Sequence, residues 1–239
     1  MPDHSNALGQ PIGFPVPEWT PPPVPSRNVL HGRFCRVERL DPARHAADLH
    51  AANSADAAAR MWTYLGYGPF ASAEAYRAWA ERMAAMSDPQ FYAIVDAASG
   101  RAVGVASYLR IDPAAGSIEV GHIAYSPALQ RTPAATEAMF LLMQQAFALG
   151  YRRYEWKCDA LNAPSRAAAQ RLGFVFEGIF RQALVYKGRN RDTAWFAIID
   201  RDWPALQRAY EHWLAPANFD EAGQQRTSLS ELTRASYGR

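Results

Sequence analysis

Glu119 and His122 stand three residues apart in a short apolar run, Glu119-Val120-Gly121-His122-Ile123. A carboxylate and an imidazole are side chains that exchange protons, and the imidazole has the intrinsic pKa better matched to neutral pH. In a regular strand an odd spacing sends the two to opposite faces, and a bulge between them changes that. Further on, Gln130-Arg131-Thr132-Pro133-Ala134-Ala135-Thr136 opens an apolar helical segment. Pro133 suits a first helical turn. Arg131, Thr132 and the first-turn amides offer an anion site with the helix dipole behind it. Arg131 can carry charge directly to a phosphate. At the next helix start Asn162 is a capping residue and Ser165 a first-turn hydroxyl. The chemistry available is proton transfer close to an anion-binding turn.

Other side chains carry two readings each. Trp62, Tyr64 and Tyr67 lie in the glycine-containing stretch 61–70; they form a pocket wall or lid, or an aromatic cluster over the sheet. Arg110 meets a ligand carboxylate or is an exposed strand arginine. Cys35 and Cys158 each sit in an apolar strand-like run and are too few for a zinc cluster or a disulfide framework. Buried free thiols are the better reading, and no metal site is expected.

The elements that must position these residues follow from periodicity and turn chemistry. A first strand is predicted at 32–40, then a helix from the Asp41 cap to about residue 53. Ser72 caps a second helix with Tyr76, Trp79 and Met83 on one face, and Asp88-Pro89 ends it. Strands at 91–95, 103–111 and 118–125, joined by short turns, predict an antiparallel meander. A helix at 134–149 is stopped by Gly150, a strand follows at 154–158, and a helix at 163–172 is stopped by Gly173. Residues 174–186 and 192–199 form a hairpin around 187–190, and a helix at 204–214 comes last. The crossover between 118 and 158 requires a parallel pair. The fold class is therefore α/β, a mixed and mostly antiparallel sheet with a central parallel pair and helices on both faces.

Composition narrows the function classes. In 239 residues, 49% are hydrophobic and 20% charged, which supports a packed core. A net charge of +2 without a Lys/Arg block argues against nucleic-acid binding. No apolar run approaches the roughly 20 residues of a membrane helix, and no signal peptide is visible. A cytoplasmic protein is expected. Residues 1–29 form a proline-rich arm, 30–215 the domain and 216–239 a polar tail; the aromatics Phe14 and Trp19 favour an arm that docks.

With its element order, the segment 118–199 resembles the GNAT acetyltransferases, in particular the RimJ/RimL-like branch. The run 119–123 resembles that branch's fourth-strand pattern, and Ala135-Thr136-Glu137-Ala138 the start of its central helix. Asn162-Ala163-Pro164-Ser165 followed by Arg171-Leu172-Gly173-Phe174 resembles its Asn-x-x-Ser…LGF segment. Glu177-Gly178 and Asp192 fall where the family's last hairpin has them. One departure concerns the phosphate turn, where Arg131 and Pro133 stand at the expected glycines. The resemblance implies acetyl-CoA as co-substrate, wedged between two splayed strands. Backbone groups of Ile123 and Tyr125 would pair with its pantetheine, Gln130, Arg131, Thr132, Ala134, Ala135 and Thr136 would hold its phosphates, and Asn162 would bind its amide. Ser165 resembles the serine near the sulfur. A carboxylate that some relatives carry on the final hairpin is replaced by Leu184.

The implied activity is acetyl transfer to a primary amine, a peptide N-terminus or a small molecule, by direct attack. His122 is preferred narrowly over Glu119 as base, and Trp62, Tyr64, Tyr67 and Arg110 flank the acceptor. The rivals are a catalytically silent acyl-CoA-binding module and an acyltransferase using another acyl-CoA. A homodimer stays open.

Overall fold

Every side chain from Gln90 to Val95 is buried, because this strand lies between two apolar layers. The computed structural model describes residues 4–238. Its elements are β1 (Leu30–His31), β2 (Cys35–Arg39), α1 (Pro42–Ser54), α2 (Ala73–Ala84), β3 (Gln90–Asp96), β4 (Ala102–Asp112), β5 (Ser117–Tyr125) and α3 (Pro133–Ala148). They continue with β6 (Arg153–Asp159), α4 (Ala163–Arg171), β7 (Val175–Tyr186), β8 (Arg189–Ile199), α5 (Trp203–Leu214) and α6 (Leu229–Ala235). The sheet order is β1-β2-β3-β4-β5-β6-β8-β7, and only β5 and β6 pair in parallel. On β3, Phe91, Ala93 and Val95 pack with Leu49, Tyr76 and Trp79 of α1 and α2. Tyr92 and Ile94 pack on the opposite face with Met139, Leu142 and Tyr210 of α3 and α5. That division is the period-two alternation of a strand buried on both faces.

The predicted caps form: Asp41 accepts from the amides of Ala43 and Arg44, and Ser72 from that of Ala75. Three boundaries differ from the sequence reading. The first strand starts at Cys35, because the amides of Arg33, Phe34 and Cys35 turn instead to the buried Glu137 carboxylate (2.8, 2.6 and 2.9 Å). The final hairpin turns in two residues, Lys187 and Gly188, both at positive φ (48° and 69°). Such a primed turn matches strand twist, so β8 begins at Arg189. Residues 216–238, expected as a polar tail, carry α6, whose N-terminus is closed by a Ser228–Glu231 capping box and whose Leu229 is fully buried.

The proline-rich arm docks. Pro22 and Pro25 are buried, Trp19 covers Gly116, and Arg152 lies 5.4 Å from the Trp19 ring centroid. No helix among the described residues is long and apolar enough to cross a membrane.

Candidate active site

β5 and β6 pair from Ser117↔Arg153 to Val120↔Trp156 and then part. Beyond that point β5 stays on β4 to Tyr125, and β6 stays on β8 to Asp159. A bulge drives the parting: the β4–β5 register steps from Ser107↔Gly121 to Val105↔Ala124, so His122 and Ile123 oppose one residue. His122 takes φ 50°, the left-handed conformation that such a bulge demands. A cavity of about 1390 Å³ opens between the strands. Because the bulge breaks the alternation, Glu119 and His122 both line it.

Glu119 sits at the vertex of the opening and is buried. Arg110 and Lys157 both bind its Oε2, at 2.7 and 2.8 Å. Lys157 also reaches Glu155 at 2.7 Å and lies 3.7 Å from the Trp195 ring centroid. Oε1 carries no hydrogen bond among the described residues. Burial raises the carboxyl's pKa, opposed by the two cations. The result is an ionisable group with one oxygen committed and one available.

His122 departs from expectation. Its ring stacks on Tyr67 (5.7 Å between centroids) and lies 5.0 Å from Phe91. Burial, with Arg110 nearby, pulls its pKa from 6.5 down to about 4. The advantage of an imidazole near neutrality is lost: a group this acidic when protonated is a weak proton acceptor.

Across the opening, Asn162 caps α4 by accepting from the Ser165 amide at 3.1 Å. Ser165 Oγ accepts from the Trp156 indole N–H at 3.0 Å, which leaves its own hydrogen for another acceptor. Cys158, beside Ser165, is buried, and burial raises its thiol pKa. Cys35 is likewise buried and raised. The two are structural thiols by the criterion that reactive cysteines have depressed pKa values.

The turn before α3 is built around Arg131, which adopts φ 62° as a glycine would. Few of its amides are left open. Thr132 N–H donates to the Leu129 carbonyl (3.3 Å), Pro133 has none, and Ala135 N–H donates to Thr132 Oγ1 (3.2 Å). Gln130 Nε2 donates to the Tyr125 carbonyl at 2.8 Å. Ala134, proposed with this group, turns away into the core, where its carbonyl accepts from the Cys35 thiol.

The sequence profile of the acetyltransferase (GNAT) domain matches residues 36–175. The chain belongs to the GNAT acetyltransferase family. A crystal structure of a GCN5-related N-acetyltransferase from Brucella melitensis is 50% identical, covers 92% of this chain and 100% of its own, and superposes with a TM-score of 0.90. A probable GNAT-family acetyltransferase from Chromobacterium violaceum is 42% identical over 82% of this chain and 98% of its own, with a TM-score of 0.76. RimL, the ribosomal L7/L12 alpha-N-protein acetyltransferase, solved in complex with coenzyme A, shares the fold at 22% identity (72% of this chain, 98% of its own, TM-score 0.62). No curated protein shows significant sequence similarity to the chain.

GNAT acetyltransferases take acetyl-CoA as co-substrate, and the parted strands of this GNAT protein fit it. Pairing of β5 on the β6 side ends at Val120, and Ile123 and Tyr125 beyond it line the cavity, with the Tyr125 carbonyl already accepting from Gln130 Nε2. Of the other residues proposed from sequence, Gln130, Arg131, Thr132, Ala135, Thr136, Asn162, Ser165, Tyr64 and Arg110 also line the cavity. Trp62 and Tyr67 do not. They are packed with Phe70, Tyr76 and Trp79 in an aromatic cluster, because a ring buried among rings gains more than one facing water. Leu184 also lines the cavity.

Lys157 was not singled out in the sequence. It shares a strand face with Glu155, two residues apart, and a lysine between carboxylates in an apolar strand was the available signal. Arg171 was read only as part of the Arg-Leu-Gly-Phe segment.

Proposed function

We propose that this GNAT enzyme transfers acetyl from acetyl-CoA to a primary amine by direct attack, with Glu119 as the group that receives the amine's proton. One observation supports this most: a buried carboxylate with a raised pKa and one unengaged oxygen stands where the parallel strands part. The neutral amine nitrogen attacks the thioester carbon and its proton passes to Glu119 directly or through one water; the C–S bond then breaks, coenzyme A leaves as the thiolate, and Glu119 returns the proton through solvent to give the thiol. Arg110 and Lys157 favour the ionised form of Glu119 against the burial that raises its pKa. Ser165, whose Oγ accepts from the Trp156 indole N–H, is the hydroxyl we assign to the leaving thiolate. His122, neutral, shapes the wall beside the attack line.

The acceptor we infer is an amine at the end of a slim chain, a peptide N-terminus or a compact small molecule. The loop at 60–66 roofs the acceptor side, tied by Tyr64 Oη to the Leu161 carbonyl at 3.2 Å. Lys187 at the β7–β8 turn donates to the Trp62 carbonyl at 2.7 Å and holds the hairpin against the same loop. A panel of short peptides and small amines, read by acetyl-CoA-dependent thiol release and product mass, tests both points. Acetylated amine is expected from slim acceptors; thiol release without amine product, or none with any acceptor, rejects the reading.

A further inference from the structure

The α3–α4 side of the cavity holds a cation without an anion. Arg171 ends α4, is half-buried and lines the cavity. One guanidinium nitrogen donates to Thr136 Oγ1 at 3.0 Å, and the group lies 5.5 Å from the Trp213 ring centroid. It pairs with no carboxylate among the described residues, and burial lowers its pKa. A guanidinium drawn out of water is costly unless an anion offsets the loss. The carboxylates that line the cavity, Asp56, Glu119 and Asp159, lie after α1 and on β5 and β6, none on α3, α4 or the C-terminal segment.

A wall stands beside Arg171, prebuilt by residues that follow the family's matched region. Trp213 Nε1 donates to Gln225 Oε1 at 2.8 Å, and Phe219 packs edge-on against Trp213 at 5.4 Å. Residues 219–225 fold back as a tight turn, with Phe219 bridged to Gln225 and Gly223 at φ 74°. Buried Asn218 fixes its base by bonds to the Trp213 carbonyl (3.0 Å) and to Thr227. Meanwhile the turn before α3 is short of free amides, since Pro133 has none and Thr132 and Ala135 are engaged. A polyanionic nucleotide bound there needs side-chain charge that the backbone does not supply.

We propose that Arg171, with the wall raised by Trp213 and residues 219–225, is the receptor for a phosphate group of the bound acyl-CoA. The C-terminal segment thereby becomes part of the donor site. This rests on acetyl-CoA occupying the cleft between β5 and β6. A guanidinium pairs with phosphate in two parallel hydrogen bonds, and Thr136 together with Trp213 orients it.

The test measures dissociation constants of CoA, dephospho-CoA and pantetheine by calorimetry on the full chain, for wild type, Arg171→Gln and Arg171→Lys, with melting temperatures as a folding control. Arg171→Gln is expected to weaken CoA on the order of tenfold or more at low salt, and to narrow the preference for CoA over pantetheine by the same factor. Arg171→Lys, which keeps the charge, is expected to lose less. If the loss persists with dephospho-CoA, the partner is the pyrophosphate; if it vanishes there, the partner is the 3′-phosphate. Both support the assignment. Equal CoA constants in the three folded proteins overturn it, and so does an equal loss for pantetheine, which carries no phosphate. Failure of wild type itself to bind CoA would instead reject acetyl-CoA as occupant of the cleft.

Discussion

Lys157 Nζ lies 2.8 Å from Glu119 Oε2, linking β5 to β6 at the point where their pairing ends. The link spans the vertex of the opening and fixes which oxygen of Glu119 is engaged. It also holds a buried carboxylate ionisable by setting two cations against the desolvation of its site.

Glu119→Gln keeps the side-chain shape and removes the proton acceptor. It is expected to lower kcat/KM by about a hundredfold or more at neutral pH, with the CoA dissociation constant changed far less. In wild type, kcat/KM should climb as pH rises through the raised Glu119 pKa, because only the ionised form accepts a proton. The rising limb should vanish in the variant; a limb that persists unchanged would assign it to another group.

His122 is expected to titrate near pH 4, so wild-type activity should show no imidazole limb around pH 6.5. The same shift links to stability. The unfolded chain takes up the proton as pH falls through 6.5, whereas the folded chain resists until about 4. The stabilisation is therefore complete above 6.5 and is lost as pH falls toward 4, by up to roughly 3 kcal/mol. His122→Asn tolerates the positive φ of the bulge. Urea melts at pH 7 and pH 4.5 should show a smaller loss on acidification in this variant than in wild type.

Arg131→Gly should separate stability from binding. At φ 62° glycine relieves strain, worth about 1 kcal/mol, offset in part by its greater unfolded-state freedom. The lost charge should weaken CoA by about tenfold. A melting temperature held or raised together with weaker CoA binding is the expected pair of results. Unchanged binding at low salt would remove Arg131 from the phosphate site.

Glu137→Gln tests the frame. Three backbone amides at residues 33–35 converge on this carboxylate. A carboxamide has one acceptor oxygen and brings a donor facing donors, so at least one N–H of the turn is left unpaired. A loss of about 2–4 kcal/mol follows. Calorimetric melting checks it, and a change under half a kcal/mol would show that the turn at 32–34 finds other partners.

The order of strands and helices was legible in the sequence because each element carries its own local signal. Asp41 and Ser72 mark helix starts, Gly150 and Gly173 mark stops, and alternation marks the meander. The crossover from 118 to 158 carried the parallel pair, and ordered motifs carried the family. Local signals marked Glu119 and the turn before α3 as candidate site residues, and the family resemblance added Ser165 and Asn162. Tertiary structure alone decided what each group can do. His122 reads as a near-neutral base until Tyr67 and Phe91 enclose it, because desolvation depends on neighbours distant in sequence. Trp62 and Tyr67 read equally as a lid or as an aromatic cluster until the α1–α2 layer takes them into its packing. Arg171 and Trp213 are 42 positions apart, and their approach follows from α5 packing on α3 and α6 packing on α4 and α5. Charges and rings act through space, so a pKa, a partner or a cavity wall is fixed only when the chain has folded.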